Sequence, residues 1–279
     1  MKDVLHCGHS TLLAHAQAVD IYRKYFQSIQ GGKISIVLNA EWAEPLNKNS
    51  AVDKFFAQFK MDYMLGWFAD PVYLTGQYPM KMRIGLLRHL PWFTADQSKL
   101  IKGSADFLGL NHYTSTFVTH PLASAKDSQG GGKLPWLATY HDNDGKLIGK
   151  HAQSSWLYDV PWGLTSLLEY IKNRYNDPDI YITENGFSVK GEANMTLSAS
   201  LQDDARVRYF NGYLDAMKVA IRKGCKVKGY IAWTLMDNFE WAAGYSERFG
   251  VVAVSPDATV RVPKASFYFL KNYFATSMS

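Results

Sequence analysis

Short apolar runs recur along this chain at wide intervals, each ending in a polar or glycine-containing turn. Residues 34–38, 107–110, 180–183 and 227–233 are rich in Ile, Val, Leu, Phe and Tyr and read as buried strands. Between and around them, apolar residues return every three to four positions over 12–26, 52–67, 162–175, 201–223 and 265–274, the spacing of amphipathic helices. Strand, crossover, strand, repeated four times, predicts an α/β fold with a parallel sheet and right-handed crossovers. A closed (β/α)8 barrel needs eight such strands in about 250 residues. The chain has 279 residues but only half the strands, so it reads as a single half-barrel unit over residues 1–279. The remaining length falls in long strand-to-helix connections, above all 114–155. That stretch holds Gly130-Gly131-Gly132 and the polar turn Asp142-Asn143-Asp144-Gly145, and no clear structure is expected in it.

Chemistry concentrates at two strand ends. In Ile180-Tyr181-Ile182-Thr183-Glu184-Asn185-Gly186 a carboxylate closes an apolar strand just before residues that tolerate a sharp turn. Carboxyl ends of parallel strands are where active sites of α/β proteins are assembled. A strand-ending Glu can equally cap the next helix or face water. The second segment, Gly229 to Trp241, opens from an apolar strand into a loop carrying Trp233, Asp237, Asn238, Glu240 and Trp241. Indoles suit the apolar faces of a pyranose, while carboxylates and amides suit its hydroxyl rim. Two core tryptophans would be the ordinary alternative, but they leave the carboxylates between them unexplained.

Four segments, Thr183-Glu184-Asn185-Gly186, Asn111-His112-Tyr113, Trp233 to Trp241 and Gly244-Tyr245-Ser246-Glu247-Arg248-Phe249-Gly250, together resemble family 1 glycoside hydrolases, the β-glucosidase-like retaining enzymes. The likeness runs in the family's order from the His9–Ala16 region to Val262-Pro263-Lys264-Ala265-Ser266. It implies the C-terminal half of a (β/α)8 TIM barrel, with strands matching the fifth to eighth. It also implies Glu184 as the nucleophile, Tyr113 as the residue that orients it, and Asn111, Tyr113's companion, as a substrate-binding residue. Trp233, Glu240 and Trp241 are implied to bind the glycone and Trp156 to line the aglycone side; a packed loop anchor is an equal reading for Trp156. The expected ligand is a β-linked glycoside or oligosaccharide, and no cofactor or metal is implied.

A retaining reaction needs a second carboxyl group about 5–5.5 Å from the nucleophile. In the family it lies in a Thr-x-Asn-Glu-Pro motif, which this sequence lacks; Trp42-Ala43-Glu44-Pro45 imitates it without the amide. Glu44 and Glu41 are therefore read as loop or structural residues. Half a barrel also leaves two sheet edges open, which calls for a complementary N-terminal half or for self-association.

Composition adds little except exclusions. Thirty Lys and Arg against 25 Asp and Glu give a net charge of +5 without a basic cluster, so no nucleic-acid role is expected. No run is apolar enough for a membrane span, and the first residues do not form a signal peptide. Cys7 and Cys225 are expected to be reduced, as in an intracellular, cytoplasmic protein. Two functions follow: the nucleophile-bearing half of a retaining β-glucosidase or β-galactosidase, inactive alone, or a non-catalytic half-barrel that binds sugars or proteins.

Overall fold

The computed structural model describes residues 2–86, 89–122 and 135–277. Its strands, in chain order, are β1 (Val37–Asn39), β2 (Trp42–Pro45), β3 (Leu108–Asn111), β4 (Ser115–Thr119), β5 (Leu137–Thr139), β6 (Lys150–His151), β7 (Tyr158–Asp159), β8 (Ile180–Glu184), β9 (Val227–Tyr230), β10 (Val252–Val254) and β11 (Arg261–Pro263). The helices are α1 (Lys2–Tyr25), α2 (Gln27–Gln30), α3 (Ala51–Met61), α4 (Trp67–Ala69), α5 (Met80–Gly85), α6 (Ala95–Ile101), α7 (Pro161–Arg174), α8 (Leu197–Ser200), α9 (Asp204–Arg222) and α10 (Ala265–Ser277).

The four expected strands pair side by side in the order β1-β3-β8-β9, every pairing parallel. Their alternate residues Leu38, Leu108, Leu110, Ile180 and Ile182 are buried in one core with Leu164, Leu167, Leu168 and Ile171 of α7 and with Tyr209, Phe210, Tyr213 and Leu214 of α9. Fully burying each such side chain contributes about 1.5–3 kcal/mol. A second cluster lies under α1, where Leu5, Leu12 and Ala16 meet Trp67, Val72, Met82 and Ile101. Ser50 caps α3 by accepting from the Asp53 amide, and Thr94 with Gln97 forms a capping box at α6.

Several boundaries differ from the sequence reading. The first helix begins at Lys2, ten residues early, because Leu5 extends the apolar stripe into the second core. The helix expected over 52–67 continues through two π-helical segments, Asp62–Gly66 and Asp70–Thr75, into residues the periodicity does not reach. The last sheet strand ends at Tyr230 rather than Trp233, although the amides of Ile231 and Trp233 still donate to the carbonyls of Ile182 and Asn185. The expected helix over 201–223 is α9, starting at Asp204.

The largest correction concerns 114–155. This stretch is not structureless: β4 and β5 join β2 in a three-stranded sheet, and β6 pairs with β7. Trp42-Ala43-Glu44-Pro45, whose Glu44 is read from the sequence as a loop or structural residue, is the parallel partner of β4. Proline is tolerated there because it ends an edge strand. The Asp142 turn forms as expected, its carboxylate accepting from the Asp144 and Lys146 amides. Gly130-Gly131-Gly132 lies outside the described residues.

Candidate active site

The C-terminal ends of the parallel strands converge on an open cavity of about 370 Å³ lined by Asn39, Glu41, Tyr113, Trp156, Glu184, Trp233, Glu240, Trp241 and Phe249. Six of the seven residues singled out from the sequence therefore meet in one place. The seventh, Asn111, does not line the cavity; its side-chain oxygen accepts from the Thr183 hydroxyl at 2.7 Å, tying the ends of β3 and β8 together.

Glu184 is the last residue of β8, and the Tyr113 hydroxyl donates to its Oε2 at 2.6 Å. Tyr113 cannot drift, because the hydroxyls of Tyr209 and Tyr213 on α9 both donate to its carbonyl, at 2.7 and 2.9 Å. Burial, and then the bond to Glu184, push the Tyr113 phenol far above its ordinary value, so it stays a donor. Asn185, fully buried, donates to the His112 carbonyl at 2.7 Å and accepts from the Tyr230 hydroxyl at 2.6 Å. A Cβ at Gly186 would collide with the Trp233 carbonyl, so glycine is required where this turn passes the next strand end.

His112 is buried, and its Nδ1 faces the Ala40 carbonyl at 2.8 Å. A carbonyl only accepts, which fixes the Nδ1–H tautomer and leaves the buried Nε2 without a partner among the described residues. Burial lowers this imidazole to about 4, so it is neutral and acts as a strand-end brace.

On the other flank, Trp233 donates its indole N–H towards Glu240 at 3.4 Å, and Trp241 is 79 % exposed at the rim. Burial raises Glu240 above the usual carboxylate range; the Trp233 bond opposes this and the nearby Glu247 and Glu184 charges reinforce it. The loop bearing Glu240 is anchored from below. Asp237 accepts from the Gly250 amide at 3.0 Å and from Lys264 at 2.9 Å, and Lys264 also binds Glu192. Glu192 in turn pairs with Arg206, which also holds Asp203. Trp156 stands edge-on to Tyr113, ring centroids 5.6 Å apart.

Sequence reasoning missed Asn39, Glu41 and Phe249 in the cavity wall, and the network beneath it. Glu44 sits apart, as expected: its carboxylate binds the Trp42 indole at 2.6 Å and Lys48 at 2.9 Å. Glu41 does not share that role. It lines the cavity, and the signal that could have found it is the Asn39-Ala40-Glu41 spacing at a strand end. Among the described residues no group of three or more His, Cys, Asp or Glu is arranged to hold a metal ion, and no helix is long and apolar enough to cross a membrane. Cys7 is exposed and Cys225 buried, and both are free.

This arrangement, one carboxylate oriented by a phenol inside a ring of indoles and carboxylates, suits attack at a sugar carbon. Comparison with known proteins finds β-glucosidases. Beta-glucosidase 4 of Oryza sativa subsp. japonica is 43% identical over 265 residues, 93% of this chain and 53% of that protein. Oleuropein beta-glucosidase of Olea europaea is 44% identical over 269 residues, 95% of this chain and 48% of that protein. The crystal structure of a GH1 beta-glucosidase from the fungus Humicola insolens, in complex with glucose, superposes with a TM-score of 0.90 at 42% identity, covering 96% of this chain and 56% of that one. The chain thus spans about half the length of the curated relatives it matches. Residues 1–278 match the profile of Glycosyl hydrolase family 1, and the chain belongs to that family.

Proposed function

We propose that this chain carries the nucleophile of a retaining β-glycosidase, and that it corresponds to the C-terminal half of the TIM barrel, strands five to eight. The observation that carries this reading is the 2.6 Å bond from Tyr113 to Glu184 within the cavity walled by Trp156, Trp233, Glu240 and Trp241. In the proposed reaction a Glu184 oxygen attacks the anomeric carbon and the glycosidic C–O bond breaks. The leaving oxygen takes a proton from a general acid. Water then attacks the glycosyl-enzyme, loses a proton to the same group acting as base, and releases the sugar and free Glu184. Trp233 would lie under the ring, with Glu240 and Trp241 on distal hydroxyls.

The general acid is assigned to a complementary half-barrel, because Glu44 is engaged elsewhere and no Thr-x-Asn-Glu-Pro motif occurs in this sequence. By this reading the chain alone has the site for a covalent intermediate but not for rapid turnover of natural glycosides. A second reading, a non-catalytic half-barrel that binds sugar, is favoured by that same missing carboxyl group.

Labelling separates the two. A dinitrophenyl 2-deoxy-2-fluoro-β-glucoside has a leaving group that needs little acid assistance. The expected result is a covalent adduct on the peptide containing Glu184, absent in Glu184→Gln, with negligible hydrolysis of an alkyl glucoside. Sugar binding without any adduct would favour the non-catalytic reading. Rapid alkyl-glucoside hydrolysis abolished in Glu184→Gln would overturn the assignment of the acid to a separate half.

A further inference from the structure

Three walls of the cavity meet at one buried serine. Ser154 lies two residues before Trp156, and its backbone amide donates to the Ser188 hydroxyl at 3.0 Å. Its own hydroxyl shares a 2.9 Å bond with Ser188 Oγ and donates to Glu247 Oε2. Both serines are fully buried. Ser188 stands four residues after Glu184, and Glu247 follows the loop that carries Glu240 and Trp241. One hydrogen-bond chain therefore joins the wall of Trp156, the turn beyond Glu184 and the loop on the far flank.

The acceptor fixes the direction of that chain. A carboxylate oxygen only accepts, so Ser154 donates to Glu247, Ser188 donates to Ser154, and the Ser154 amide donates to Ser188. Each hydroxyl gives one proton and receives one, and the charged acceptor makes the terminal bond the strongest. The Glu247 carboxylate has no other hydrogen-bond or ion-pair partner among the described residues.

The loop of Glu240 does not need this bond for its own attachment. Its base is held by backbone bonds of Thr234 with Phe249 and Val251, and by Asp237 with the Gly250 amide. Its tip closes on itself, the Glu240 amide donating to the Gly244 carbonyl at 2.7 Å and the Ser246 amide to the Ala243 carbonyl at 3.1 Å. The Trp156 turn is likewise closed, by the Ala152 amide on the Leu157 carbonyl and the Leu157 amide on the Ser154 carbonyl. The Tyr140 hydroxyl donates to the Trp156 carbonyl at 3.0 Å. Two internally bonded pieces thus face each other. Among the described residues, the bond from Ser154 to Glu247 is the one hydrogen bond between 150–157 and 238–248. What it sets is the separation of the two walls.

Resting on the function proposed above, we infer that Glu247 is a positioning residue: by accepting from Ser154 it holds the Trp156 indole where one ligand meets both that wall and the loop of Glu240 and Trp241. Glu247 itself does not line the cavity, so it acts through Trp156.

Two non-hydrolysable probes, methyl and phenyl 1-thio-β-glucoside, test this by calorimetry on the whole chain. The wild-type chain should bind the phenyl probe more tightly, because only its ring reaches Trp156. Glu247→Ala and Ser154→Ala should each reduce that preference about 5-fold, the size of a stacking contact, and the double variant should lose no more than either alone. Glu247→Gln keeps an acceptor for Ser154 and should restore the preference. In a Trp156→Ala background, Glu247→Ala should leave the ratio of the two dissociation constants unchanged. Should Glu247→Ala fail to fold, Ser154→Ala deletes the same bond by removing a single oxygen and reads the same ratio. A merely structural residue would lower the thermal midpoint without moving the ratio, or weaken both probes equally. Either result overturns the inference alone, as does a wild-type chain without a phenyl preference. A wild-type chain that binds neither probe would overturn the glycosidase reading together with it.

Discussion

At the scale of single residues, the Tyr113 hydroxyl has one partner that matters, a Glu184 oxygen at 2.6 Å. A hydrogen bond to a charged group contributes about 1.5–3 kcal/mol, so Tyr113→Phe should slow the labelling of Glu184 by about 10- to 150-fold. The phenyl ring keeps its edge contacts with Trp156 and Phe249, so the thermal midpoint should move little. A labelling rate equal to wild type would remove Tyr113 from the mechanism. His112 makes a different prediction, about stability and pH. Its folded value, about 4, lies below the unfolded 6.5. The unfolded chain therefore takes up the proton first as pH falls. The stabilisation is complete above about 6.5, is lost progressively as pH falls towards 4, and amounts to an order of 3 kcal/mol. Urea midpoints compared at pH 7 and pH 4.5 should show less acid sensitivity in a folded His112→Gln variant than in wild type. Equal sensitivity would place the acid transition elsewhere.

Elements are held in register by groups that no periodicity reveals. Arg206, fully buried on α9, pairs with Glu192 and Asp203 and donates to the carbonyls of Phe187 and Arg248. It therefore joins the segment after Glu184 to the segment after Trp241. Arg206→Met leaves the Asp203 carboxylate, among the described residues, with the Ser266 amide and hydroxyl and unbalances Glu192, and breaking such a buried cluster costs about 3–5 kcal/mol. Urea unfolding should show that loss, with Lys264→Met costing a comparable amount; a loss below about 1 kcal/mol would mean that water enters and solvates the cluster. The four sheet strands were legible as short apolar runs, although only β3 is buried almost throughout, while β1 and β9 expose Val37 and Lys228. Strand β2 was not, since Trp42-Ala43-Glu44-Pro45 mixes a carboxylate and a proline, and only its pairing with β4 makes it a strand. The cavity was legible where indoles and carboxylates crowd one segment, as in 233–241. Glu41 was hidden because its partner Lys60 lies nineteen positions away on another element, where no local pattern links the two.

For the whole molecule the decisive feature is the pair of unpaired sheet edges. Among the described strands, β1 and β9 each have one neighbour in the sheet. Val37 on β1 is 49% exposed, and Ile231 and Leu235 just beyond β9 are 57% and 59% exposed. An apolar hollow flanks each edge: one of about 430 Å³ lined by Ile36, Val37, Tyr63, Trp67 and Phe68, the other of about 350 Å³ lined by Ile231, Leu235, Phe267 and Phe274. Parallel strands with an uncovered apolar flank recruit another chain. The relatives it matches are about twice as long, and under the function proposed above the occupant of these edges is the remaining half of such a barrel. The chain alone should therefore associate with itself as its concentration rises, and the N-terminal half of a relative should replace that contact with a one-to-one complex. Val37→Lys and Ile231→Lys place a charge on each edge and should suppress both associations without touching Glu184. Light scattering across a dilution series reads the first effect, and hydrolysis of an alkyl β-glucoside by the mixed halves reads the second. A monomer at every concentration, indifferent to the added half, would mean that the two edges are self-sufficient and that the cavity in this chain is already complete.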